Sequence, residues 1–249
     1  MKLDVYLTPG EVTPADTAER TVVIIDVLRA TASIVEAIGS GAKTIYPVTS
    51  IEEALRLANN LGRDEVLLCG ERKCLPIEGF DLGNSPAEFT SERVAGKTLV
   101  MSTTNGTTAM SLAAGASRVL VAAPSNLSAV VDELVRSGTD PVLICSGREK
   151  HFGLEDAVFA GTVAARLMEA RSGDWEPNDG ALAVLALAER FELDEALFAS
   201  TVAGRAIAAA GLGEDLAFCA QVDRHTVVPV LHDRQITPAP PGSTAPSER

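Results

Sequence analysis

The chain has 249 residues, of which 46% are hydrophobic, 22% charged and 4% aromatic, the make-up of an ordinary globular protein and not of a disordered or fibrous one. Its 21 Lys and Arg against 34 Asp and Glu leave a formal charge of −13, which argues against a nucleic-acid backbone binder but leaves room for a small anion held by a few local cations. Cys69, Cys74, Cys145 and Cys219 form no C-x-x-C pair, and no apolar run is long enough for a secretory or membrane-spanning segment, so a zinc ribbon and a thioredoxin motif are excluded and the expected location is cytoplasmic.

Taken in chain order, short β-branched runs alternate with longer helical patterns. Strands are expected at Val22–Ile25, Thr44–Val48, Val66–Leu68, Thr98–Met101, Val119–Val121 and Val142–Ile144. Between them, residues 30–40, 50–61, 105–115 and 125–137 have the length and Ala/Leu spacing of amphipathic helices. Ser50 and Ser125 stand as N-caps, and Gly62, Gly115 and Gly138 as stops. The stretch 70–97 shows no period and carries many specific polar groups, which marks a long functional loop. From Leu154 the sequence turns Ala-rich and helical, through Leu154–Ala170, Gly180–Phe191 and Leu193–Ala210. One more strand is expected at Thr226–Leu231, which Pro229 assigns to a sheet edge. The segment from Thr237 to Arg249 is Pro/Ser-rich and reads as a disordered tail. The expectation is an α/β fold, layered α/β/α, with a largely parallel or mixed sheet and a more helical C-terminal portion. Residues 1–236 would form one domain or two intimate lobes of about 1–150 and 151–236.

Counting residues removes several familiar sites. Three histidines, His151, His225 and His232, are too few for a His-rich metal cluster. Ala95-Gly96-Lys97-Thr98 has Ser at position 91 and precedes a strand, so it is not a phosphate-binding P-loop. No cysteine has Arg six positions on, and Asp26 lacks the second Asp of an aspartyl-phosphate signature.

Polar clusters remain at the carboxyl ends of the expected strands, where open α/β sheets place their ligands. In Asp26-Val27-Leu28-Arg29-Ala30-Thr31, Arg29 and Thr31 would stand at a helix mouth that favours an anion; the alternative is a capping aspartate with a surface arginine. Ser102-Thr103-Thr104-Asn105-Gly106-Thr107-Thr108 is either an oxyanion cradle of hydroxyls, amide and glycine or a cap-rich turn. Ser146-Gly147-Arg148 ends a strand, and Glu155 and Asp156 open a helix either as hard-cation ligands or as partners of its dipole. The carboxylates Asp26, Asp81, Glu155 and Asp156 with the cations Arg29, Arg72 and Arg148 suit Mg²⁺ and a multiply anionic substrate better than zinc. Glu71 and Arg72 either make an ordering ion pair or act on substrate.

These clusters resemble the 2-phosphosulfolactate phosphatases, Mg²⁺-dependent enzymes of coenzyme M biosynthesis. The matching pieces are Val23–Thr31, Gly70-Glu71-Arg72, Gly79–Pro86, Thr103–Thr107, Cys145-Ser146-Gly147, Leu154–Asp156 with Ala160-Gly161, and Asp215–Asp223. Two departures stand out: Lys73-Cys74 occupies a place where the family usually has a glycine pair, and Thr108 one where it often has Arg. The resemblance implies hydrolysis of (2R)-O-phospho-3-sulfolactate to (2R)-3-sulfolactate and phosphate. It further implies Asp26 and Arg29 as catalytic residues and Mg²⁺ held by some of Asp26, Asp81, Glu155 and Asp156. Thr31, Arg72, Asn84, Ser85, Thr103, Thr104, Asn105, Gly106, Thr107, Ser146 and Gly147 would bind substrate. Asp26 is the candidate nucleophile if a metal-activated water does not serve. A different small phosphorylated acid as substrate, or a non-catalytic metabolite-binding protein, are the competing readings. A homodimer is the expectation from symmetry.

Overall fold

The computed structural model describes residues 1–104, 109, 110, 112, 113 and 115–239. In chain order the elements are β1 (Lys2–Tyr6), α1 (Pro14–Thr17), β2 (Thr21–Ile25), α2 (Ala30–Gly39), β3 (Thr44–Val48), α3 (Ile51–Leu61), β4 (Val66–Arg72), β5 (Leu75–Pro76), α4 (Ser91–Val94), β6 (Thr98–Ser102), β7 (Arg118–Ala122), α5 (Leu127–Ser137), β8 (Pro141–Cys145), α6 (Leu154–Ala170), β9 (Glu176–Pro177), α7 (Asp179–Arg190), α8 (Glu195–Ser200), α9 (Val202–Ala209), α10 (Glu214–Cys219), β10 (Pro229–His232) and β11 (Gln235–Pro238).

The strands make one mixed sheet in the order β5-β4-β6-β3-β11-β10-β7-β2-β8-β1-β9. Two parallel blocks, β4-β6-β3 and β7-β2-β8-β1-β9, are spliced by the antiparallel hairpin β10–β11. The hairpin pairs antiparallel with β7 at Val230↔Leu120 and with β3 at Ile236↔Ile45. All five residues of β2 are buried, which is why Thr-Val-Val-Ile-Ile reads as a continuous apolar run. Its side chains alternate: Val23 and Ile25 pack with α5 and α6, whereas Val22 and Ile24 pack with Ile34, Ala37 and Ile38 of α2. That second cluster also contains Leu99 and Met101 of β6 and Phe89, so α2 lies between the two blocks. Helix α3, capped by the Ser50 hydroxyl on the Glu53 N–H at 3.1 Å, covers the other face of the first block through Ala54 and Ala58.

The α/β class, the mixed sheet and the six expected strands hold, with boundaries extended by a residue or more in all but β3. Five expectations change. The stretch 70–97 is not featureless: β4 runs on to Arg72 and turns into β5, and Pro86–Glu88 and α4 follow. The last strand begins at Pro229 and is central, not an edge. A proline at the first residue of a strand removes no ladder bond the strand requires. Thr237 and Pro238 belong to β11 and not to a tail; residues 240–249 lie outside the described ones. The helix expected over Leu193–Ala210 is two, because Asp194 caps one at the Leu197 N–H and Thr201 caps the next at the Gly204 N–H. Ser125 makes no cap bond; Asn126 is the N-cap of α5. Of the helix expected over 105–115, most lies outside the described residues.

Candidate active site

The carboxyl ends of β2, β4 and β6 face a common cleft of about 360 Å³. Asp26, Arg29, Glu71, Arg72, Asn84, Thr103, Thr104 and Arg148 line it, with Ile207 of α9 closing one side. The cleft thus joins both parallel blocks and the helical C-terminal portion. A larger concavity of about 650 Å³ lies at the β10–β11 tip, but none of the buried carboxylates borders it.

The loop after β2 builds the floor. The Thr31 hydroxyl accepts the Asp26 N–H at 3.1 Å, and the Thr31 N–H returns to the Asp26 carbonyl at 2.9 Å, which closes the turn and starts α2. The Asp26 Oδ1 accepts the Ala30 N–H at 3.4 Å, while Oδ2 has no hydrogen-bond partner among the described residues. Arg29, 3% exposed, is held from two directions. Its Nη1 donates to Asp215 Oδ2 at 2.6 Å and its Nη2 to the Cys74 carbonyl at 2.8 Å. The rest of its five N–H donors make no hydrogen bond among the described residues.

Asp156 works as a brace. One oxygen accepts the Val27 N–H and the other the Gly147 N–H, each at 2.9 Å, which ties the loop after β2 to the loop after β8. Gly147 is required there: its φ is +57°, and a Cβ would lie 2.1 Å from the His151 carbonyl. Glu71 braces the opposite wall, accepting the Thr104 hydroxyl at 2.7 Å, the Thr104 N–H at 2.9 Å and the Cys74 N–H at 2.9 Å. It makes no ion pair with Arg72, whose guanidinium instead donates to the Glu71 and Ser102 carbonyls and the Ser102 hydroxyl.

The electrostatics are those of crowded, desolvated acids. Burial, helped by Glu71 and Glu155, pushes Asp26 up to about 7 against the opposing Ala30 N–H and Arg29. Burial, then Asp26 and Glu155, holds Asp156 well above the usual carboxylate range, and burial also raises Glu155, with Arg148 opposing. Each of these three side chains belongs to a residue at most 6% exposed.

The sequence-predicted residues therefore separate. Asp26, Arg29, Arg72, Asn84, Thr103 and Thr104 line the cleft. Glu155 and Asp156 adjoin it through their charge. Thr31 and Gly147 serve the turns beside it, and Ser85 is bonded to Asp215 Oδ1 at 2.5 Å, so all three make hydrogen bonds within the protein and none is among the residues that line the cleft. Ser146 is buried with its hydroxyl unpartnered, as is the Asn84 side-chain oxygen. Asp81 is not brought in: it pairs with Arg63 at 2.9 Å and accepts the Leu68 N–H, on the outer side of β4. Asn105, Gly106 and Thr107 lie outside the described residues. Asp215 was missed, since nothing local to α10 announces a partner 186 residues away.

The 2-phosphosulpholactate phosphatase family matches residues 6–234. The chain belongs to that family. Three proteins named "Probable 2-phosphosulfolactate phosphatase" illustrate the range within it. That of Caldanaerobacter subterraneus is 39% identical over 93% of this chain and 95% of its own length. The Symbiobacterium thermophilum protein is 40% identical over 93% and 98%, and the Clostridium acetobutylicum protein 34% identical over 95% and 100%.

Proposed function

We propose that the chain is a phosphoric monoester hydrolase that converts (2R)-O-phospho-3-sulfolactate to (2R)-3-sulfolactate and phosphate with Mg²⁺. The observation that carries the reading is a cleft in which a helix N-terminus, a braced arginine and a set of uncompensated buried carboxylates meet.

The phosphoryl group fits at the start of α2. There Arg29 presents its remaining N–H donors, the positive end of the α2 dipole favours an anion although the Ala30 and Thr31 N–H groups already serve Asp26, and Thr103 and Thr104 border the opposite wall. Asp215 and the Cys74 carbonyl fix the Arg29 plane before substrate arrives, so little reorganisation accompanies the transfer of charge. Asn84 lies at the cleft with its buried side-chain oxygen unsatisfied, ready to accept from a water or from the hydroxyl that hydrolysis frees on the product.

The donor set suits Mg²⁺ held in part by protein. Among the described residues no three His, Cys, Asp or Glu side chains converge as a complete cage, whereas Mg²⁺ uses one or two carboxylates with water and substrate oxygens. Asp26, through its free Oδ2, and Glu155 would hold it; Asp156 has both oxygens committed to amides and Asp81 is paired elsewhere. When bound, the ion supplies Lewis acidity and offsets the negative charge of the cleft. Among the described residues no helix is long and apolar enough to cross a membrane.

Phosphate release from phosphosulfolactate is expected with Mg²⁺, to be abolished by a chelator, and to drop by about 10²-fold or more in Asp26→Asn. Binding of the substrate without phosphate release, with or without Mg²⁺, would mark a metabolite-binding protein. Faster release from other phosphorylated small acids would mark a phosphatase of different specificity.

A further inference from the structure

The mouth of the cleft is made by two tight hairpins of the same kind. Arg72 and Leu75 pair across Lys73-Cys74, whose φ values are +53° and +68°. Arg148 and His151 pair across Glu149-Lys150, at +50° and +68°, closed by Arg148 N–H to His151 O at 2.9 Å and the reverse bond at 2.8 Å. Two left-handed residues in succession are what a two-residue type I′ turn demands, a place that Asn and Gly fill at least strain. The tips meet across the opening, where Arg148 Nη1 comes 3.9 Å from Cys74 Sγ.

The cations of the cleft differ in how far they are committed. Arg29 is locked to Asp215 and a carbonyl, and Arg72 to two carbonyls and a hydroxyl. Lys73 makes no hydrogen bond or ion pair among the described residues. Arg148 makes no hydrogen bond to oxygen there, and its one ion pair is a 3.8 Å contact to its exposed neighbour Glu149. Both line the cleft, and both belong to these hairpins.

We infer that Lys73 and Arg148 recognise one of the two acid groups of the substrate other than the phosphoryl, the two hairpin tips holding its sulfonate or its carboxylate between them at the cleft mouth. The inference deepens the phosphatase reading and rests on it. Arg29 and the α2 N-terminus serve the reacting end, so the uncommitted cations at the rim decide which phosphorylated acid is preferred. An ammonium and a guanidinium facing one oxyanion give it several charge-assisted donors without a deeply buried charge.

The test compares wild type with Lys73→Gln, Arg148→Gln and Arg148→Lys on phosphosulfolactate and on phenyl phosphate, which lacks a second acid, and measures sulfolactate binding by calorimetry. The ratio of kcat/KM for phosphosulfolactate over phenyl phosphate is expected to fall about tenfold in each Gln variant, chiefly through KM, with partial recovery in Arg148→Lys. Sulfolactate binding is expected to weaken in parallel. Ratios and sulfolactate affinities within twofold of wild type, or no sulfolactate binding by wild type, would overturn the assignment. A wild type that releases no phosphate from phosphosulfolactate overturns the phosphatase reading instead, and the sulfolactate arm then decides the rim assignment by itself.

Discussion

Asp26 is a carboxylate whose surroundings oppose its charge. Folding removes it from water beside Glu71 and Glu155 and lifts it from the ordinary carboxylate range to about 7. Since the folded value lies above the unfolded one, folding takes up a proton between about pH 4 and pH 7. The stability this contributes is complete at low pH and is lost as pH rises through 7. Asp26→Asn, which cannot ionise, is therefore expected to gain on wild type as pH rises from 5 to 8, by on the order of 2–4 kcal/mol in urea titrations at the upper end. A difference independent of pH would contradict the raised value. Added Mg²⁺ should raise the Tm of wild type more at pH 8 than at pH 5, and should do less for Asp26→Asn. Asp215 makes the opposite case: it neutralises Arg29 inside the protein, so Asp215→Ala strands a buried guanidinium. A loss of about 3–5 kcal/mol in stability is expected by chemical denaturation, with a fall in kcat. Asp26, Arg29, Thr103 and Thr104 were legible in the sequence because each closely follows an apolar strand and so must stand at a sheet edge. Asp215 and the exclusion of Asp81 were not, because both depend on partners that only the tertiary fold supplies.

At the scale of elements, the same contrast applies to turns. The Ser50 cap and the stop at Gly138, with φ +65°, follow from side-chain chemistry within a few residues and were readable directly. The hairpin tips were not, since Lys73-Cys74 and Glu149-Lys150 contain neither Asn nor Gly and carry no turn signature. Their conformation is imposed by the pairing of Arg72 with Leu75 and Arg148 with His151. Relieving that imposition has a measurable effect: Lys73→Gly is expected to raise stability by about 0.5–1 kcal/mol while weakening preference for phosphosulfolactate over a phosphate ester with no further acid group, as thermal melts and kinetics would show. A melt unchanged or lowered would mean that the Lys73 stem contributes packing of its own. Gly147→Ala is the converse, placing a Cβ against the His151 carbonyl in the other turn and disturbing the loop that Asp156 holds.

At the scale of the molecule, β10–β11 is what makes one sheet of two. Ile236 is fully buried, pairs with Ile45 of the first block and packs in the cluster shared with β2 of the second. Ile236→Ala is expected to lower stability by about 2–5 kcal/mol in denaturant titrations, more than an equal truncation at the exposed Leu182. An equal effect at both sites would deny the hairpin its joining role. The class of fold was legible from alternation of strand and helix, yet the strand order was not. Periodicity shows which residues a strand buries, and the C-terminal hairpin inserts between strands laid down far earlier in the chain.

That insertion has a temporal side. During synthesis both half-sheets emerge before the segment that unites them, so a nascent chain stopped ahead of Pro229 owns every group around the catalytic floor but no frame to hold its two walls in register. The two walls of the cleft thus depend on strands that the chain lays down after every residue lining it.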